Sequence, residues 1–469
     1  MNDKMPLLNL LNINLSINEV MKLVRNLSAC MLLLLFLVSS LPVKAQTSPA
    51  RAFDNVTIHT ADGKTINSGT VVWRNGIIEA AGSNVNIPFD AYVIDGGDSL
   101  HVYPGFVDGL ALWGSPDLPD RYERPDRPGE PGYERAGIQP QRKPSDLLNG
   151  KDKNLEEAQK HGFTTAALGL KGHMLPGQVD VFFINGENTG DYLMKTSAGI
   201  LASFEDAPGG FGSAAFPSTT MGVLAQYRQL WYDAEALMNQ QQYFASAGSN
   251  YPAPAKDAVL EALYPVLEKA QPLYFVVDSK ENIELLLRLK DEIGFNAVIV
   301  SGKEAYKMAD ELNNRNIPVL ASIDLPDEPE WKKKEKAAEE DTTQAGERLE
   351  ELTEEMRIFR DRQLRAYEAS ITNIKKLLDA GVKVGYASNG MKLSDLSGHV
   401  KTILEEGGLN EDQLITIMSQ STADILDVGG RIGDVRNGRI ASFSVLTKPY
   451  TEEKTKVIYS VSSGKLTEF

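Results

Sequence analysis

Side chains that could do chemistry are sparse in this sequence of 469 residues. It contains five histidines and one cysteine, Cys30, and no two histidines have the His-x-His spacing of a metal site. The glycine-rich run at 209–212 has neither the preceding strand nor the following Gly-Lys-[Ser/Thr] that would hold a phosphate. A Gly-x-Ser-x-Gly segment, which would present a nucleophilic serine, is also missing. The sequence therefore carries no signature of cysteine, serine or phosphate-loop chemistry.

One apolar segment predicts a strand with leucines at alternate positions. Asp108, Leu110 and Leu112 lie in the run His101-Val-Tyr-Pro-Gly-Phe-Val-Asp-Gly-Leu-Ala-Leu-Trp-Gly114. Alternate residues of a strand point to one face, so the two leucines would aim two isobutyl groups at the same place. Asp108 is expected to shape the turn at the end of this strand. His173 follows a later predicted strand and could face the same region, and a structural or exposed histidine is the alternative.

The first 45 residues have the features of an export signal. Basic residues precede the apolar run at 31–38, and residues 43–45 have the small or modest side chains that signal peptidases require before the cleaved bond. We therefore expect cleavage after Ala45 and a periplasmic or secreted protein, with Met21 as an alternative to Met1 for the true start. The apolar run is too short for a stable membrane span. A net charge of −16 argues against nucleic acid and anionic membrane surfaces as partners.

Two β-rich ends enclose a middle in which strands and helices alternate. Alternating apolar and polar residues around Asn75-Gly76 predict a hairpin, and the same alternating pattern occurs again near the end of the chain. In the middle, short apolar runs such as 273–277 alternate with amphipathic segments such as 281–293. This pattern predicts an α/β fold, a (β/α)8 TIM-like barrel with a small β-sandwich built from both the N- and C-terminal segments. The predicted boundaries are 46–102 and 429–469 for the two halves of the sandwich and 103–428 for the barrel.

Two insertions interrupt the predicted barrel. Residues 115–145 carry seven prolines and follow the first barrel strand, where barrel enzymes place active-site loops. A solvated excursion is the alternative interpretation of this segment. Residues 327–365 are densely charged and nearly free of helix breakers, which predicts an exposed helical excursion on the same face of the barrel. Its composition suits a solvated helix and a docking surface equally well.

After residue 45, nearly the whole chain resembles the amidohydrolase superfamily. Pro104-Gly-Phe-Val-Asp108 resembles the strand that leads into the family's His-x-His, and His161-Gly-Phe-Thr-Thr165 resembles its second strand. Gly433 to Ser442 resembles a hairpin of the composite β-sandwich found in imidazolonepropionase- and dihydroorotase-like members. The resemblance implies a barrel beside a sandwich, hydrolysis of carbon–nitrogen bonds, and one or two zinc or manganese ions on the barrel strands.

The metal ligands that this resemblance implies are replaced in the sequence. No lysine or glutamate is recognisable on the fourth strand, where the family often has a ligand. Leucine and valine have no lone pair, and an asparagine amide cannot take the proton that the family's aspartate accepts. We therefore expect no metal cofactor. The replacements are Leu110 and Leu112 for the first-strand histidines, Val276 or Val277 for the fifth-strand histidine, Ser301 for the sixth-strand histidine and Asn389 for the eighth-strand aspartate.

Three functions remain open from the sequence. The first is an exported, catalytically degenerate pseudoenzyme that acts as a binding or partner subunit, beside an active amidohydrolase paralogue or within a homo-oligomer. The second is an active hydrolase of carbon–nitrogen bonds that recruits replacement groups from Asp108, His173, Asp278 and Asn389. The third is a protein that binds a small ligand at the barrel mouth without chemistry.

Overall fold

A computed structural model describes residues 48–185, 189–210, 212–247, 252–340 and 353–469. The predicted leader, with both candidate start residues, lies outside the described residues. The described strands are β1 Arg51–His59, β2 Thr65–Arg74, β3 Ile77–Gly82, β4 Tyr92–Pro104, β5 Phe106–Ala111, β6 Phe163–Leu168, β7 Gly177–Phe183, β8 Leu193–Ser203, β9 Leu273–Val277, β10 Ala297–Ser301, β11 Val319–Ala321, β12 Val384–Tyr386, β13 Phe443–Leu446, β14 Val457–Ser462 and β15 Lys465–Glu468.

The described helices are α1 Pro144–Leu147, α2 Lys153–Lys160, α3 Thr220–Ala247, α4 Ala258–Glu261, α5 Tyr264–Leu267, α6 Lys280–Ile293, α7 Ala309–Asn314, α8 Glu330–Glu340, α9 Glu354–Ile371, α10 Asn373–Asp379, α11 Leu396–Glu405, α12 Glu411–Thr416 and α13 Thr422–Ile425. Within these described residues, none of the helices combines the length and the apolar character that crossing a membrane requires.

The two ends of the described chain build one seven-stranded sheet. Its strand order is β15-β14-β13-β4-β1-β2-β3, so β4 joins the N-terminal strands to the C-terminal ones. The predicted hairpin joins β2 to β3, and both Asn75 and Gly76 have the positive φ values, 50° and 80°, that such a two-residue turn requires. Phe53, Trp73 and Phe443 form its aromatic centre, with ring centroids 5.3 to 6.1 Å apart. The predicted sandwich is therefore built from both ends.

An eight-stranded sheet, β5 to β12 in sequence order, forms the barrel. The backbone N–H of Asn389, just beyond β12, donates to the carbonyl of Leu110 in β5 at 2.9 Å, so the last strand meets the first. The arrangement departs from eight parallel strands at one place, because β7 runs antiparallel to both β6 and β8. No helix lies between β6 and β7, and antiparallel strands can be joined by such short connections.

The two faces of the barrel sheet bury different apolar layers. Along β10, Val298 and Val300 pack inside the barrel, whereas Ala297 and Ile299 pack against the surrounding helices. This alternation follows from the two-residue period of a strand. The inside of the barrel is therefore a packed core built from the inward residues of its strands, as in other barrels of this size.

The two insertions lie on the barrel in different ways. Most of residues 116–134 is exposed, but Ala136 and Ile138 are buried, and the N–H of Gln139 donates to the carbonyl of Leu175 at 2.7 Å. The proline-rich segment is thus anchored at its carboxyl end to the loop after β6. The second insertion contains α8 and the start of α9, which confirms its predicted helical character. These helices touch where Trp331 Nε1 donates to Gln363 Oε1 at 2.9 Å.

Candidate functional site at the barrel mouth

Asp108 fastens the first barrel strand to the last. Its side chain has no exposed surface, and its Oδ1 accepts the N–H of Leu110 at 3.0 Å and that of Ser388 at 3.1 Å. Burial raises the pKa of Asp108 to about 7, and hydrogen bonding from the side chain and backbone of Ser388 and from the backbone of Leu110 offsets this only in part. The carboxyl group therefore holds backbone in place, and it has no surface with which to meet a substrate.

Leu110 and Leu112 lie together on the inner face of the barrel. A Cβ placed on Gly169 would lie 3.2 Å from Cδ1 of Leu110 and 3.4 Å from Cδ2 of Leu112. Leu110 is fully buried in the inner core, and Leu112 is partly buried at its edge. Two apolar side chains therefore fill the place at which the resemblance implies two imidazoles.

The fifth and sixth strands also present apolar side chains to the interior. Val276 packs on the inner core and Val277 on the helix side, so Val276 is the inward residue of the two. In the sheet register Val276 lies level with Val300. Ser301 is buried, has a φ of 75°, and lies level with Val277, which faces the helices. The residue of the sixth strand that faces the inside of the barrel next to Val276 is therefore Val300. Ser301 is the next residue along the chain.

The fourth and eighth strands themselves carry no carboxylate at this end, and Glu205, two residues beyond the fourth strand, lies 3.5 Å from His173. On β8, the fourth strand, the only ionisable side chain is Lys195, near the amino end of the strand. Lys195 Nζ donates to the carbonyl of Leu426 and to Asp427, both at 3.0 Å, on the opposite side from the mouth. Leu201 is the inward residue towards the carboxyl end of β8. Asn389 is partly exposed and sits at a φ of 42° in the turn after β12.

The groups considered as replacement ligands have partners of their own. His173 Nδ1 lies 3.5 Å from Glu205 Oε2, and its ring meets Tyr122 edge-on at 6.1 Å. Asp278 is exposed and lies beside the backbone of Lys303. Among the residues that the structure describes, no three His, Cys, Asp or Glu side chains converge so that they could hold a metal ion. The donor set at the mouth therefore does not fit zinc or manganese.

The other histidines make structural contacts. His59 Nε2 and His101 Nδ1 lie 3.0 Å apart, and the His59 ring stacks on Tyr103 with centroids 4.1 Å apart. Burial first, and the neighbouring His101 second, lower the pKa of His59 to about 4. His161 Nε2 lies 3.4 Å from Glu157, and His399 Nδ1 lies 2.6 Å from the carbonyl oxygen of Ile323.

A cleft of about 830 Å³ opens beside the first and last strands, and sequence spacing did not indicate it. Lys171 Nζ pairs with Asp117 at 2.7 Å on its wall, and the Lys171 N–H donates to Ser115 Oγ at 2.7 Å. Four separate segments form the walls, which explains why sequence spacing cannot reveal them. The lining side chains include Leu112, Trp113 and Met391, the amides Asn149 and Asn154, the carboxylates Asp117, Asp152 and Glu157, and the amines Lys171 and Lys392.

Two solved structures share this fold with the chain. An amidohydrolase from Thermotoga maritima MSB8 is 23% identical in sequence and has a TM-score of 0.69, over 89% of this chain and 99% of that chain. A prolidase in complex with N-methylphosphonate-L-proline is 14% identical with a TM-score of 0.51, over 89% of this chain and 99% of its own. No protein-family model matches the chain, and no curated protein matches its sequence. At these identities the likeness establishes the amidohydrolase fold, as predicted, and the reaction must be argued from the site.

Proposed function

We propose that this chain is an exported protein of amidohydrolase fold that has lost metal-dependent catalysis and acts as a binding or partner subunit. The observation that carries this proposal is the chemistry of the inner face at the mouth. Leu110, Leu112 and Val276 offer no lone pair to a cation, and Asn389 cannot accept a proton at neutral pH. Several ligand positions are changed together, so restoring a histidine or aspartate at one of them would not rebuild a metal site.

Metal content and hydrolysis together test the loss of catalysis. The protein from residue 46 onward is expressed with added zinc and manganese, analysed for metal, and assayed on dipeptides and cyclic amides. We expect less than about a tenth of a metal ion per chain and no hydrolysis that a chelator abolishes. The Thermotoga amidohydrolase, prepared in the same way, controls for metal supply. Stoichiometric metal together with chelator-sensitive hydrolysis would establish instead an active enzyme with replacement ligands.

If metal does bind, two variants identify its ligands. His173→Ala removes an imidazole near the mouth whose partner is Glu205. Asp278→Asn removes an exposed carboxylate at the end of β9. Loss of metal in either variant would support the active-hydrolase alternative and contradict our proposal. Asp108 is unsuitable for this test because its carboxyl group has no exposed surface and already accepts two backbone N–H groups.

Export is tested at the amino terminus of the protein. Expression of the full chain in a Gram-negative host, followed by fractionation and amino-terminal sequencing, should recover protein that begins at Gln46 in the periplasm. Ala45→Arg should block cleavage, because signal peptidases require a small residue there. Full-length protein in the cytoplasm would contradict this part of the proposal and leave the proposed loss of catalysis unaffected.

A second candidate function, binding of a small ligand, is favoured by the cleft beside Leu112. Its walls combine two amines, three carboxylates and two amides with apolar side chains, a mixture that suits a zwitterion such as an amino acid or short peptide. Thermal shift against dipeptides, amino acids and sugars tests this function, since a ligand that binds only the folded state raises Tm. We expect Lys392→Gln to abolish any such shift and Lys448→Gln, an exposed lysine elsewhere, to leave it unchanged. A ligand shift that survives Lys392→Gln would place binding elsewhere.

A further inference from the structure

The longest described helix exposes an uncharged face. α3 covers 28 residues and buries Val223, Tyr227 and Leu230 against the barrel. Its opposite face is exposed and carries no charge, although 24% of the residues in the chain are charged. We call this face the α3 seam, and it consists of Ala225, Gln229, Tyr232, Ala236, Asn239 and Tyr243.

The spacing of the α3 seam is that of a helix-pairing surface. Successive seam residues are separated alternately by four and three positions, the period that keeps a stripe facing one partner helix. Tyr232 and Tyr243 are 55% and 60% exposed. Two large aromatic side chains on the same stripe would lose much of this exposed area against a second helix.

Two copies of the α3 seam fit each other when the two helices run antiparallel. Around a midpoint at position 234, Tyr232 faces Ala236 of a second copy and Ala225 faces its Tyr243, so each large residue meets a small one. Gln229 faces Asn239 of the second copy, and two side-chain amides can exchange hydrogen bonds. We propose that two copies of this chain pair antiparallel through the α3 seam, around a twofold axis at position 234. A parallel pair would instead place tyrosine against tyrosine and alanine against alanine.

Charges beside the seam affect the strength of the pairing. Arg228 is held by Glu292, at 2.6 and 2.8 Å, and Asp233 accepts a hydrogen bond from Gln229 at 2.8 Å. Glu235 is exposed on one flank of the seam near the axis, where the twofold arrangement brings it towards Glu235 of the second copy. Like charges in such positions oppose association, so Glu235→Gln should strengthen the pair.

The size of the seam sets the concentration range of the test. From Ala225 to Tyr243 it is about 27 Å long at about 1.5 Å per residue, and about 10 Å wide. It thus buries roughly 300 Å² per copy, below the roughly 800 Å² per partner of a stable complex. We therefore expect a weak pair whose dimer fraction rises with protein concentration. The pairing does not depend on whether the barrel catalyses a reaction.

Sedimentation equilibrium of the protein from residue 46 onward, between about 1 and 200 µM, measures the pairing. We expect a monomer–dimer equilibrium that Ala236→Glu shifts at least about tenfold towards monomer and Glu235→Gln shifts towards dimer. Phe359→Glu, on the exposed face of α9, is the control and should leave the monomer–dimer equilibrium unchanged. A monomer throughout this range, or a dimer that Ala236→Glu leaves intact, would overturn the proposal.

Cysteine pairs test the antiparallel arrangement, because Cys30 is the only natural cysteine and lies in the predicted leader. Gln229→Cys should cross-link with Asn239→Cys when the two variants are mixed. Gln229→Cys alone should not cross-link, because its two copies would lie about 15 Å apart along the helix axis. Efficient cross-linking of Gln229→Cys with itself would indicate a parallel pair and contradict the proposed arrangement.

Discussion

At the scale of single residues, Asp108 shows how a residue of a catalytic motif can serve the scaffold alone. The sequence predicted that it shapes the end of the first strand, and the structure adds that it also binds the backbone of Ser388. The direction of Leu110 and Leu112 was predictable, because alternation along one strand fixes it. The choice between Val276 and Val277 was not, because it depends on the register of β9 with its neighbours.

Asp108→Asn should stabilise the protein above pH 7. The folded pKa of about 7 exceeds the ordinary value of 3.8, so the folded state holds the extra proton between these values, and stability falls as pH rises through this window. Above pH 7 the variant should gain free energy of unfolding over the natural protein, by about 1.4 kcal/mol for each unit by which the folded pKa is raised. Urea unfolding at pH 5 and pH 8 measures it. Asp108→Ala should destabilise at both pH values, because two buried N–H donors lose their acceptor. A gain from Asp108→Asn that is equal at both pH values would contradict the assigned pKa.

His59→Phe should make the protein less sensitive to acid. The folded pKa of about 4 lies below the ordinary 6.5, so the neutral ring contributes stability above pH 6.5 that is lost as pH falls towards 4. Phenylalanine keeps the stack on Tyr103 and cannot take a proton. Lowering the pH from 7 to 4.5 should therefore reduce the Tm of the natural protein more than the Tm of the variant. A constant difference would mean that His59 does not titrate in this range.

At the scale of elements, the sequence predicted the alternation of strands and helices and the two helical or proline-rich insertions. It did not predict that β7 runs antiparallel, because apolar runs have the same composition in either direction. The cleft was also beyond prediction, since its walls come from segments as distant in sequence as Trp113 and Met391. Reversal of β7 places a hairpin where a helix would otherwise cover the barrel.

Arg135→Ala should release the proline-rich segment from the loop after β8. The Arg135 guanidinium donates to the carbonyls of Glu123, Pro208 and Ser213, and these bonds connect two loops. A protease that cleaves after glutamate should then cut residues 116–134 several times faster, with little change in Tm. Arg127→Ala is the control, because Arg127 pairs with its near neighbour Glu130 in the same segment. Equal cleavage rates in both variants would exclude this role for Arg135.

At the scale of the whole molecule, sandwich and barrel share a buried polar junction. The hydroxyls of Thr164 and Ser442 lie 2.6 Å apart, Ser462 Oγ donates to the Thr164 carbonyl at 2.8 Å, and Ser444 Oγ donates to the Gly162 carbonyl at 3.0 Å. Gly105 is necessary here, because a Cβ would overlap the side chain of Thr164. The proline-glycine pair that identifies the fold thus serves this junction.

Thr164→Val should destabilise both parts together. It leaves the buried Ser442 hydroxyl without its partner, which costs about 1 to 3 kcal/mol. Calorimetry should show one unfolding transition for the natural protein and for the variant, at a lower Tm in the variant. Two separate transitions, with only one of them shifted, would show that the sandwich and the barrel unfold independently.

The position of β4 between β1 and β13 has a consequence for biosynthesis. A ribosome or a translocation pore delivers the chain from its amino end, so β4, which ends at Pro104, emerges long before β13, which begins at Phe443. Until then one edge of β4 has unpaired backbone groups, and such edges recruit other strands. Completion of the sandwich therefore waits for the end of synthesis, and a chaperone that covers β4 during that delay would protect the nascent chain from aggregation.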